Sequence, residues 1–126
     1  MIWTLGQVAL GGALGASARY LTGIAAVRVM GHGFPWGTMA VNVIGSFAMG
    51  VLVVLLAHTN ATGKLAPFLM TGVLGGFTTF SAFSLDAMVL YERGQISLAG
   101  AYVIGSVALS LLGIGLGLVA ARAVLA

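Results

Sequence analysis

Apolar positions run along this chain in four long blocks, and most polar positions fall between them. A helix needs about 20 apolar residues to cross the hydrocarbon core of a bilayer. The first block runs from about Trp3 to Val27 and is interrupted by Arg19. The second, from about Gly37 to Ala57, and the fourth, from about Ser97 to Ala121, hold no charged residue. The third, from about Leu65 to Tyr91, carries Asp86 near its end. The pattern predicts an all-α membrane protein with four transmembrane helices in a single domain over residues 1–126. Breakers mark the connections: RVMGHGFPWG at 28–37, HTNATGK at 58–64 and ERGQ at 92–95. Pro35 and Pro67 sit where helices are expected to start, a place that tolerates proline. Trp3, Trp36 and Tyr91 fall near expected helix ends, as in an interfacial belt.

Composition supports the bilayer. The chain is 60% hydrophobic and 6% charged, whereas a soluble domain carries about 25% charged residues. So few charges do not cover the surface of a short soluble fold. Residues 1–18 carry no charged side chain, and the first apolar run is long and Gly-rich. It therefore reads as a retained helix rather than a cleaved leader. The net charge of +3 comes from scattered residues, Arg19, Arg28, Lys64, Arg93 and Arg122. They form no patch that binds nucleic acid. There is no cysteine, which removes disulfides and thiol chemistry. His32 and His58 lie in separate loops, so neither a zinc spacing nor a Ser-His-Asp arrangement is available, and no enzyme is expected.

Sidedness is balanced. With four spans, Lys64 and Arg122 lie on one face, and Arg28 and Arg93 on the other. Arg19, snorkelling toward the first-loop face, makes the tally three against two. A bias this small permits insertion in both orientations, and hence antiparallel assembly. Gly11 with Gly15, Gly72 with Gly76 and Gly113 with Gly117 have the GxxxG spacing that lets helices approach closely.

The polar residues within the spans are ordered. Thr38, Asn42 and Ser46 recur every four residues, as do Tyr102, Ser106 and Ser110, so each set lies on one helix face. Such stripes offer uncharged donors to a small anion, and they equally serve as hydrogen-bonding glue between helices. Residues 75–84, GGFTTFSAFS, combine two glycines with Thr78, Thr79, Ser81 and Ser84. This segment predicts a break in the third helix, whose freed carbonyls attract cations. Phe80 and Phe83 are three apart and can present their positive ring edges to an anion; core packing is the alternative for both.

These residues resemble the small fluoride channels of the Fluc or CrcB family. The likeness spans nearly the whole chain and rests on GGALGASARY at 11–20, GTMAVNVIGSFAMG at 37–50, GVLGGFTTFSAFS at 72–84 and YVIGS at 102–106. The resemblance implies four-helix subunits in the bacterial cytoplasmic (inner) membrane, assembled as an antiparallel, dual-topology homodimer. It implies passive export of fluoride along a path that includes Asn42, Phe80 and Phe83. Thr38, Thr79, Ser81, Ser84, Tyr102, Ser106 and Ser110 are placed like the family's polar track, and Arg19 matches its first-helix arginine. The resemblance also implies a structural sodium ion at the dimer interface, held by the backbone carbonyls of Gly75 and Thr78. Two positions depart from the pattern: Ala82 stands where Thr or Ser is frequent, and Asp86 where Glu is frequent. The rival functions are a proton-coupled exporter of the small multidrug type, which needs a carboxylate in its first helix, and a non-transporting membrane scaffold.

Overall fold

The computed structural model describes all residues, Met1–Ala126. The chain is all helical, with no strand. Helix α1 spans Ile2–Met30 and α2 spans Trp36–His58. A continuous helical path then passes through α3 (Thr62–Ala66), a π-helical stretch (Pro67–Leu74) and α4 (Gly75–Phe77). The path breaks at residues 78–80 and resumes as α5, Ser81–Glu92. Helix α6 spans Ile96–Leu125. Three segments, Trp36–His58, Thr62–Glu92 and Ile96–Leu125, are long and apolar enough to cross a membrane. Helix α1 is as long, but Gln7, Arg19, Tyr20 and Arg28 dilute its apolar content. Length and composition make this a multi-pass membrane protein. Burial agrees. Only 16 of 126 residues are buried, and side chains such as Leu14, Ile104 and Leu111 stand exposed. Such a surface suits lipid and not water.

The helix ends have local causes. Gly31 and Gly94 take positive φ, 81° and 79°, and end α1 and the α5–α6 turn where a side chain would be strained. Pro35 directly precedes α2. Pro67 does not start its helix as expected: the helix begins at Thr62, and Pro67 lies one turn inside. Proline has no N–H and its ring crowds the carbonyl four residues back. The chain answers by widening into the π-helical stretch.

Small residues set the packing. Beta carbons added at Gly11 and Gly15 would strike the carbonyls of Phe68 and Val73, and one at Gly76 would fall 2.7 Å from the Gly12 carbonyl oxygen. Backbone thus meets backbone where α1 crosses the third helical path. The same holds between α2 and α6, where Gly117 faces the Phe47 carbonyl and a beta carbon at Gly113 would lie 3.2 Å from the Val43 carbonyl oxygen. A compact apolar cluster of Phe83, Leu90, Ala99 and Tyr102 joins α5 to α6, with Phe34 of the first loop packed against it.

Candidate functional site

The break is built by side chains that replace helical hydrogen bonds. In a continuous helix each carbonyl accepts the N–H four residues on. At Thr78 the chain turns extended, with φ −89° and ψ 159°. The Thr79 N–H, the helical donor for the Gly75 carbonyl, goes instead to Asn42 Oδ1 at 2.7 Å. Asn42 Nδ2 donates back to the Thr79 carbonyl at 2.9 Å. The Ala82 N–H, the helical donor for the Thr78 carbonyl, goes to Thr79 Oγ1 at 3.1 Å, which caps the first turn of α5. Arg19 Nε donates to the Gly76 carbonyl at 2.9 Å. Thr78 Oγ1 donates to the Leu74 carbonyl at 2.9 Å. Gly45 of α2 admits Thr78, whose methyl occupies the space a side chain would need.

Two cavities flank the break. The first, about 370 Å³, brings together Asn42 and Ser46 of α2, Thr79, Phe80 and Phe83 of the break, and Ser106 and Ser110 of α6. No charged side chain lines it. Ser106 is 3% exposed, and its Oγ has no hydrogen-bond partner. A buried hydroxyl left unpaired is costly, so it marks a place where a partner belongs. The second cavity, about 510 Å³, is lined by Arg19, Arg28, Thr38, Thr79 and Ala82. Thr79 lies in the wall of both.

The stripes of α2 and α6 therefore converge only in part. Thr38 faces the second cavity together with Arg19. Tyr102 lines neither: it is 0% exposed, and its OH donates to Asp86 Oδ2 at 3.1 Å. Ser81 Oγ lies 3.4 Å from Thr79 Oγ1, and Ser84 Oγ donates to the Phe80 carbonyl at 3.0 Å. Phe80 is 77% exposed and Phe83 8%, with ring centroids 5.5 Å apart. Phe83 lies against Tyr102 at 5.2 Å, and Phe34 meets Tyr102 edge-on at 5.4 Å. Phe34 was not among the residues singled out by pattern, since a loop residue has no periodicity to betray its contacts. The aromatic run around Pro35 was the one sign. Nor did pattern reveal that the Thr79 hydroxyl takes the Ala82 N–H at the start of α5.

Known proteins share this architecture of residues. The sequence pattern of the family described as "CrcB-like protein, Camphor Resistance (CrcB)" matches residues 7–118. A protein of Cereibacter sphaeroides (strain ATCC 17029 / ATH 2.4.9) named "Fluoride-specific ion channel FluC" is 67% identical over 122 residues, covering 97% of both chains. Proteins of the same name from Ruegeria sp. (strain TM1040) and Paracoccus denitrificans (strain Pd 1222) are 55% and 58% identical, covering 99% and 95% of both chains. The matched stretch includes α2, both sides of the break and the polar face of α6, so the likeness falls on the site as well as the scaffold. The chain belongs to the CrcB-like family.

Proposed function

We propose that this protein is a passive, fluoride-selective channel that lets fluoride leave the cytoplasm down its gradient. One observation carries the reading: an uncharged cavity furnished with hydroxyls and an amide, including the unpartnered Ser106 Oγ, in a chain whose full-length relatives are named fluoride-specific ion channels. A small anion that sheds water needs donors in exchange, and Asn42, Ser106 and Ser110 offer them without a fixed charge. Neutral donors also let the ion go, as conduction requires. Phe80 and Phe83 add ring edges to the same cavity. Arg19 and Arg28, lining the second cavity, would draw anions toward it. A proton-coupled exporter finds no support here, because Asp86, the carboxylate that lies inside a span rather than at its end, is bonded to Tyr102 and lines neither cavity.

In this reading α1 is a fourth span. At 1.5 Å per residue its 29 residues reach about 44 Å, enough for the core and its interfaces. The working unit is an antiparallel homodimer of dual topology in the bacterial inner membrane. Balanced basic residues support insertion both ways. The exposure of Phe80, 77% in the single chain, supports a second copy completing the first cavity.

The break fits a structural sodium ion. The carbonyls of Gly75 and Thr78 have lost their helical donors to Asn42 and Thr79. A carbonyl without an N–H donor keeps its lone pairs for another partner, and hard oxygen ligands of this kind suit a hard cation. Bound there, sodium would supply positive charge beside a neutral anion path.

Liposomes loaded with fluoride test the function. Purified protein is expected to discharge fluoride, read by a fluoride electrode, with little chloride flux; trapped fluoride refutes the channel. Phe80→Ile is expected to suppress flux while the protein elutes as wild type, because the ring contributes little packing within its own chain and isoleucine keeps an apolar side chain there. Unchanged flux returns Phe80 to a packing role.

A further inference from the structure

Asn42 pairs both ends of its amide with one residue, Nδ2 with the Thr79 carbonyl and Oδ1 with the Thr79 N–H. A side chain serving only as an anion donor needs no contact at Oδ1. That contact, at 2.7 Å, has a consequence one turn back: it withdraws the Thr79 N–H from the Gly75 carbonyl. The Thr79 hydroxyl repeats the device one turn on, where Oγ1 takes the Ala82 N–H and leaves the Thr78 carbonyl without its helical donor. The neighbouring carbonyls are treated in the opposite way. Gly76 receives Arg19 Nε, and Thr79 receives Asn42 Nδ2. Two carbonyls are thus filled by side chains, and two have their N–H donors drawn off by side-chain acceptors. Returned to the helical pattern, the same two N–H groups would close on Gly75 and Thr78 and occupy both.

We propose that Asn42 and the Thr79 hydroxyl are positioning residues for the cation site: they divert two N–H donors and so keep the Gly75 and Thr78 carbonyls open to a monovalent cation. The proposal rests on the sodium reading given above. It gives Asn42 two tasks, one on the anion path through Nδ2 and one on the cation site through Oδ1. Anion path and cation site are then joined through a single side chain. At position 79 the hydroxyl matters and the methyl does not, so serine suffices and valine does not.

The test is a sodium titration of purified protein, with N-methylglucamine as the replacement cation, read by thermal unfolding and in parallel by fluoride flux. Sodium is expected to raise the wild-type Tm to a plateau. Asn42→Ala and Thr79→Val are each expected to need about tenfold more sodium, the weight of one hydrogen bond. Thr79→Ser is expected to titrate as wild type. An Asn42→Ala protein with reduced flux but the wild-type sodium midpoint overturns the proposal and leaves Asn42 an anion donor alone. A wild type that ignores sodium overturns the sodium reading together with the proposal; a wild-type response that both variants share overturns the proposal only. Should the variants fail to fold, wild-type protein labelled with carbonyl 13C decides. The Gly75 and Thr78 signals are expected to shift with sodium while those of Gly76 and Thr79 stay. The reverse pattern overturns the assignment.

Discussion

Arg19→Lys separates two roles of one side chain. Arg19 lines the second cavity, where its charge would concentrate anions, and its Nε also holds the Gly76 carbonyl at 2.9 Å. Lysine keeps the charge but has no donor at the Nε position of the stem. A hydrogen bond from a charged donor contributes about 1.5–3 kcal/mol when buried. This one is part-buried beside an open cavity, so it contributes just under that range, about 1.4 kcal/mol, or tenfold. Released from Arg19, the Gly76 carbonyl no longer fixes the break, and the conducting fraction falls by up to that factor. The charge effect behaves differently, because it is screened over about 10 Å at 0.1 M salt and the hydrogen bond is not. The assay is fluoride efflux from liposomes at low and high concentrations of an impermeant salt. Arg19→Lys is expected to conduct about tenfold less at both. Arg19→Ala is expected to conduct less still, with the additional loss shrinking as salt rises. Wild-type conduction by Arg19→Lys at every salt concentration would refute the latch and leave Arg19 as a charge alone.

Further outcomes follow from single contacts. Gly15→Ala drives a methyl into the Val73 carbonyl and is expected to cost about 1–3 kcal/mol in thermal unfolding, whereas Gly12→Ala, which meets nothing within 4 Å, should unfold as wild type or slightly later. Tyr102→Phe keeps the ring against Phe83 but removes the bond to Asp86; a loss of about 1–2 kcal/mol is expected, and an unchanged Tm would show that bond to be idle. Ser106→Ala removes a buried hydroxyl with no protein partner, so stability should hold or rise while fluoride flux falls. A drop in Tm instead would reveal a partner for that hydroxyl within the protein.

The helices, the break and the convergence of Asn42, Ser46, Ser106 and Ser110 were legible because each follows from period or composition. Apolar length predicts spans, four-residue spacing predicts a shared face, and Gly-Gly-Phe-Thr-Thr predicts poor helix. What periodicity does not supply is the neighbour that covers a face. Tyr102 and Thr38 sit on their predicted stripes, yet Tyr102 is roofed by Phe34 from the first loop, and Thr38 opens on the arginine-lined cavity. Arg19 is the clearer case. Pattern reads it as a side chain snorkelling toward the first-loop face, and its hydrogen-bond partner is a main-chain carbonyl of the break. Every residue carries a carbonyl, so nothing in a list of side chains marks Gly76 as the acceptor. It becomes one only when its own helical donor is drawn away by the break.

That dependence explains why the segment from Gly75 to Thr79 needs these residue types together. Gly76 must lack a side chain, because α1 passes with the Gly12 carbonyl 2.7 Å from where a beta carbon would lie. Thr78 must turn extended, a conformation that suits a β-branched residue, and its N–H and its hydroxyl both end on the Leu74 carbonyl. Its hydroxyl is therefore backed up by its own main chain. Thr79 has no such backing: its N–H, carbonyl and hydroxyl each meet a different atom, Asn42 Oδ1, Asn42 Nδ2 and the Ala82 N–H. It is also the residue shared by the two cavity walls. A shift of the Thr79 peptide would alter both cavities and both open carbonyls in one step. Of the residues in the break, Thr79 is thus the one on which the anion path and the proposed cation site both depend.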